Sequence, residues 1–208
     1  MVTVIVVITA LASIYLFGRG DIAGRMAFSA YRVVHQREFH RLVTHMFVHG
    51  DWMHLIVNMM VFWSFGNFIE ELFGYLAVGG QMHAPTLHLL MVYFGGGITS
   101  ALLSLGRNKD NPYSVSIGAS GGVASVLFAS IFFAPWQMVY LFGMVPIPGI
   151  IAGVGYLFFE MRAAQRANDN IDHHAHIYGA LFGFVYPALI NFDFVGMFLH
   201  SFWQFPWR

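Results

Sequence analysis

Cysteine is absent from the 208 residues, which excludes disulfides and thiolate chemistry. Charge is scarce as well. Lys and Arg total 10 and Asp and Glu total 10, so charged residues make up 10% of the chain; a soluble domain carries about 25%. The two signs balance, and a chain with no basic surplus has no electrostatic footprint for nucleic acid. What is present is 58% hydrophobic, with a mean hydropathy of +0.64. The charge is missing in blocks, and the longest, from Asn111 to Phe159, has none. Such blocks mark a bilayer protein rather than an apolar globule. Against that background stand 11 histidines, several of them inside the apolar blocks.

Six membrane spans can be drawn, each near the roughly 20 residues a helix needs to cross. They cover about 1–18, 52–69, 86–106, 119–134, 149–163 and 174–191. Residues 1–17 lack a basic leader and are followed by more apolar chain. They read as a first transmembrane helix, a little short of its native start, rather than a signal peptide. The loop at 19–50 holds Arg19, Arg25, Arg32, Arg37 and Arg41 among aromatic residues, which suits a folded element lying at the interface. Residues 135–148 are apolar but broken by prolines, as in a re-entrant or surface segment. No internal repeat or second domain is visible, so the expectation is one all-α, polytopic membrane domain over 1–208.

Polar residues inside membrane spans are costly, so each is a functional candidate. Three clusters qualify. In the second span His54 and Asn58 are four residues apart, on one helix face. Gly118-Ala119-Ser120-Gly121-Gly122 opens the fourth span, and His176, followed by Gly179 and Gly183, opens the sixth. Glycines around a serine allow close helix packing. They also leave bare backbone around a nucleophile. A serine hydroxyl needs a neighbouring base, usually histidine, and a tetrahedral intermediate needs donors aimed at its oxyanion. A serine at a helix N-terminus has free backbone N–H groups and a favourable dipole. His176 can be the base, His54 and Asn58 the oxyanion donors, and the Gly179–Gly183 pair lets the sixth helix approach the fourth. Gly118-x-Ser120-x-Gly122 also fits the elbow of soluble hydrolases, but that motif needs a sheet that membrane spans cannot supply.

The HxxxN, GASG and AHxxGxxxG stretches, in this order, resemble the signature of the rhomboid intramembrane serine proteases. The resemblance covers about residues 1–191. It implies a six-helix bundle, access for water from one face, and substrates that are themselves transmembrane helices in the lipid bilayer. It also implies a Ser–His pair without a third carboxylate: Ser120 as nucleophile, His176 as base, and Asn58, His54 and the Ser120 N–H at the oxyanion. Gly118, Gly121, Gly179 and Gly183 fall to active-site backbone and helix packing. No cofactor, metal or nucleic acid is expected. Two departures stand out. His40 precedes Arg41 where many members have Trp, and Ala124 stands where many carry an aromatic against the histidine, which would leave His176 more loosely held. Rival readings are an inactive rhomboid-like protein that binds membrane clients, and a small transporter or channel with histidines along an ion path.

Further residues have two readings each. His45 and His49, near His54, could bind metal or line the entry to the site as a hydrated patch. Asp172 could orient His176 or be a solvated loop charge. Ser100 and Ser104 could hold water near the site or bond to carbonyls one turn back. Glu70 and Glu71 read as the interfacial end of the second span. The resemblance also places the active-site face outside the cytoplasm, in a multi-pass membrane protein of the cell or inner membrane if bacterial. That puts Arg19, Arg25, Arg32, Arg37, Arg41, Arg107, Lys109, Arg162 and Arg166 outside and only Arg208 inside, against the positive-inside rule.

Overall fold

The computed structural model describes residues 1–141, 144–166 and 172–204. The helices are α1 (Val2–Leu16), α2 (Gly20–Met26), α3 (Ala30–Gln36), α4 (Arg41–Thr44) and α5 (Trp52–Val78), then α6 (Pro85–Leu90), α7 (Gly96–Asn108) and α8 (Ser120–Phe133). A hairpin of β1 (Met138–Leu141) and β2 (Val145–Pro148) precedes α9 (Gly149–Arg166), α10 (His173–Ile190) and α11 (Asp193–Trp203). Residues 167–171, and Arg208 with its share of the charge argument, lie outside the described residues.

α8 is the axis. It is apolar or small on every side, and Gly121 to Val126 are all buried, as are Phe128 to Phe132. α5, α7 and α10 pack around it. Outward faces of the surrounding helices are apolar and exposed: Leu11 at 64%, Met53 at 70% and Leu189 at 72%. In water such faces would be a liability; against lipid they are the expected surface. Among the described residues two helical stretches, Trp52–Val78 and Pro85–Asn108, have the length and apolarity to cross a membrane. α10 and α11, bent by 119° at their junction, form a third if taken together, and α1 and α8 are shorter apolar helices.

Several elements differ from the sequence expectation. α5 runs past Glu70 and Glu71 to Val78, because glutamate favours helix and Phe73 and Leu76 continue the buried face. Residues 85–108 are not uniform helix: Pro85 starts α6 at its first turn, and Met91–Gly95 form a π turn before α7. Ser125 Oγ donates to the Val92 carbonyl in that turn at 2.6 Å. The chain is mostly helical rather than purely so. At 138–148 prolines forbid helix, and an antiparallel pair forms with Met138 opposite Pro148 and Val139 opposite Ile147. α11 lies in a stretch to which the sequence reading assigned no element.

The first loop is folded. Arg41 is 2% exposed, and its Nη1 donates to the carbonyls of Gly24 at 2.8 Å and Ala27 at 2.6 Å, while Nε donates to Glu38. Thr44 Oγ1 donates to the Met26 carbonyl at 2.7 Å, and His40 Nε2 contacts the Arg25 carbonyl at 3.2 Å. His40 therefore anchors the loop beside Arg41 where an indole was expected.

Candidate active site

The turn before α8 is built for close approach. Gly118 has φ +114°, a conformation that side-chain-bearing residues rarely adopt, and a Cβ there would lie 2.7 Å from the His54 ring. The first loop holds this turn from its other side. Phe28 and Ser116 exchange backbone hydrogen bonds of 2.9 and 3.0 Å, and Gly118 N donates to the His45 carbonyl at 3.0 Å. Ser120 is then the first residue of α8, where N–H groups have no carbonyl partner one turn back.

α10 reaches α8 through its glycines. A Cβ on Gly179 would lie 2.1 Å from the Gly121 carbonyl oxygen, and one on Gly183 would lie 1.9 Å from that of Ser125. The two backbones are thus in direct contact, as small residues four apart permit. Gly121 itself faces Ser100, whose Oγ would lie 2.6 Å from a Cβ there. Asp172 caps α10, accepting from Ala175 N at 3.0 Å. This seating brings His176 Nε2 to 2.7 Å from Ser120 Oγ.

The second-span pair approaches from α5. Asp51 caps that helix by accepting from His54 N at 2.8 Å, and the His54 ring packs over Gly118. Asn58 is buried, and its Nδ2 donates to the His54 carbonyl at 2.8 Å. His49 stands edge-on to His54, with ring centres 4.9 Å apart, and its Nδ1 pairs with Ser13 Oγ at 2.8 Å. Burial holds the His49 imidazole down at about 3 and that of His45 at about 4, so both are neutral at pH 7. His45 lines a small cavity beneath Ser120 with Phe28, Ser100 and Ser116. Ser100 Oγ donates one turn back to the Gly96 carbonyl at 2.7 Å and also borders that cavity, while Ser104 Oγ donates to Asp172 at 3.3 Å.

One neighbour was absent from the sequence reading. Glu160 of α9 places Oε1 3.0 Å from His176 Nδ1 and Oε2 2.6 Å from His173 Nδ1. A carboxylate therefore sits on the far side of His176, where none was expected, and it is not Asp172. The available signal was an acidic residue at the end of a charge-free run, inside or beside a span. The same three side chains bring donor atoms within 4.8 Å of one another. Ligands around a tetrahedral zinc, each about 2.0 Å from it, stand roughly 3.3 Å apart. The 2.6 Å contact is instead that of a hydrogen bond.

A helical membrane scaffold that joins a serine at a helix start to a histidine on the neighbouring helix defines a class of site. Comparison with known proteins gives the family. Residues 36–191 match the Rhomboid domain, and the chain belongs to the rhomboid family. It is 29% identical over 150 residues to RHOMBOID-like protein 12, mitochondrial, of Arabidopsis thaliana, covering 68% of this chain and 43% of that protein. It is 29% identical over 169 residues to Rhomboid protease GluP of Bacillus subtilis, covering 80% of this chain and 29% of that one. Rhomboid protein 1, mitochondrial, of Saccharomyces cerevisiae is 27% identical over 153 residues, 70% of this chain and 40% of its own. The chain thus spans less than half the length of these relatives. Rhomboid proteins are membrane-embedded, and many of the family are serine intramembrane proteases.

Proposed function

We propose that this chain is a serine endopeptidase that hydrolyses peptide bonds in or next to transmembrane segments of membrane-protein substrates. In this reading residues 1–208 form one domain of six membrane segments. The observation that carries it is the 2.7 Å contact between His176 Nε2 and Ser120 Oγ, made across two helices whose glycines let their backbones touch. His176 takes the Ser120 proton as Oγ attacks the scissile carbonyl carbon. The oxyanion is met by the Ser120 N–H, with Asn58 and His54 as side-chain donors. His176 then protonates the leaving amine, and a water deprotonated by His176 cleaves the acyl-enzyme. No cofactor takes part.

The site faces the extracytoplasmic side in this proposal. The basic first loop is compatible with that side because some of its arginines are structurally engaged: Arg41 is buried among carbonyls, and Arg19 lies 4.0 Å over the Tyr15 ring. A reporter active on one side only, fused to the C-terminus, should read cytoplasmic; an extracytoplasmic signal reverses the assignment.

The principal test is chemical. Purified protein in detergent should be labelled by a fluorophosphonate at Ser120. Ser120→Ala and His176→Ala should each remove labelling and cleavage, since parts acting as one unit lose roughly 10⁴-fold or more when either goes. Undiminished cleavage of a transmembrane reporter substrate by Ser120→Ala would refute the protease reading.

A further inference from the structure

We propose that Glu160 is the positioning carboxylate of this site, so that Ser120, His176 and Glu160 act as a hydrogen-bonded chain with His173 as its second anchor. This deepens the protease reading and rests on it. A carboxylate oxygen only accepts. Both imidazoles present Nδ1 to it, at 3.0 and 2.6 Å, so each Nδ1 carries the proton. That leaves His176 Nε2 as the lone-pair nitrogen, facing Ser120 Oγ at 2.7 Å. The geometry thus selects the one tautomer that can act as base.

Two further observations separate this from incidental packing. The Glu160 side chain is 5% exposed, and both its oxygens are used, one on each ring. An intramembrane carboxylate with only structural neighbours is costly, whereas one fixed beside a histidine that becomes cationic is compensated when it matters. And the contact at His176 Nδ1 reaches across from a different helix, α9, rather than from the turn beside it on α10.

In the reaction the Ser120 O–H bond breaks and its proton passes to His176 Nε2, while a bond forms from Oγ to the carbonyl carbon. Glu160 stays unprotonated and pairs with the imidazolium, which then yields the Nε2 proton to the leaving amine. Other titratable groups face this chain from each side. Tyr156 of α9 is next to Glu160, and His54 of α5 is next to His176. Asp172 caps α10, α8 contributes no Asp, Glu, His, Lys, Arg or Tyr, and Arg107 of α7 faces His174.

The test compares Glu160→Gln and Glu160→Asp with the parent protein. The Gln amide matches in shape, but its N–H₂ would oppose one ring nitrogen and favour the wrong tautomer. Amidating the orienting carboxylate of a soluble triad costs about 10⁴-fold. Glu160→Gln should lose about 10³-fold or more in kcat with KM within threefold, and its acid limb should move to lower pH. Glu160→Asp should recover at least tenfold over Gln. Melting in detergent identifies a variant that has unfolded; a folded Gln protein with parental kcat and pH profile overturns the proposal, and so does a folded Asp protein no more active than a folded Gln one. Nitrogen-15 histidine spectra decide it independently of turnover. His176 should be Nδ1-protonated in the parent and change on Glu160→Gln. An Nε2-protonated His176 in the parent overturns the proposal. An inactive parent with the Nδ1 tautomer overturns the protease reading and leaves the Glu160 contact supported.

Discussion

Replacing Gly179 by alanine adds one methyl group at the tightest place near the site. Its Cβ would fall 2.1 Å from the Gly121 carbonyl oxygen, 2.8 Å from that carbonyl carbon and 3.0 Å from Gly121 Cα. All three are backbone atoms of α8, so no rotamer relieves the overlap. Real Cβ atoms essentially never come within 3.0 Å of another heavy atom, so α10 must retreat by about 0.9 Å at least. His176 sits three residues earlier on the same face of α10. Carried along, its 2.7 Å contact with Ser120 opens to about 3.6 Å, beyond a hydrogen bond. A misplacement of this size costs on the order of 10²-fold. Alanine is the better helix former by about 1 kcal/mol, so any loss arises from the contact and not from helix propensity. Gly155→Ala on α9, where a Cβ meets nothing within 4 Å, supplies the control and should leave activity unchanged. The readouts are the rate of fluorophosphonate labelling and kcat/KM on a transmembrane reporter, with melting recorded for both variants. A Gly179→Ala protein that labels within twofold of the parent would show that the helices have slack and that the Gly179–Gly121 contact does not set the Ser120–His176 distance.

Asn58→Ala should lower kcat by about 10²–10³ with little change in KM, as removal of an oxyanion donor does; lost affinity with turnover retained would make Asn58 a packing or binding residue. Asp172→Asn should stay within a few-fold of parental activity and stability, because asparagine caps a helix as well as aspartate; a loss near 10⁴ would return Asp172 to the orienting role. Thermal stability should fall with pH through the neutral histidines His45 and His49. Their folded-state values, about 4 and about 3, lie below the solution value of 6.5, so the unfolded chain takes up protons first as pH drops. Their stabilisation is complete above 6.5 and is lost down through those values, about 3 kcal/mol for His45; a melting temperature flat from pH 7 to 4.5 would contradict it.

The residues that stood out in the sequence were those whose chemistry clashes with a membrane span. Ser120, His176, His54 and Asn58 are polar groups in apolar runs, and the glycines beside them mark backbone approach whatever the tertiary structure. The approach of α10 to α8 was legible for the same reason, since Gly179 and Gly183 form one small-residue stripe. Glu160 was not, because it ends a charge-free run two residues before Arg162 and reads as the polar edge of a span. Only the packing of α9 against α10 turns it toward His176. Arg41 was visible as a loop arginine, but its carbonyl partners lie 14 and 17 residues away in sequence, and no local pattern encodes them. The π turn at 91–95 runs into Gly95, Gly96 and Gly97, but glycines within a span read as packing, and Ser125, which meets its carbonyl, looked like any other small residue of α8. Prolines 146 and 148 reported a break in helix without reporting the strand pairing that replaced it.

α8 has 14 residues, a length of about 21 Å at 1.5 Å per residue. A bilayer's hydrocarbon slab is about 30 Å deep, and α5, with 27 residues, is longer than that. Because α8 is enclosed on all sides, the shortfall is taken up by protein rather than by thinned lipid. On the proposed reading the start of α8 is the floor of a well, with longer helices for walls and the polar turn at 111–119 descending into it. A peptide bond in an intact helix lies under its own side chains, with its carbonyl already engaged four residues on. To lie on that floor it must leave the lipid and surrender those bonds. On that reading the depth of the serine would screen substrates by how readily they unwind, before any side chain is read.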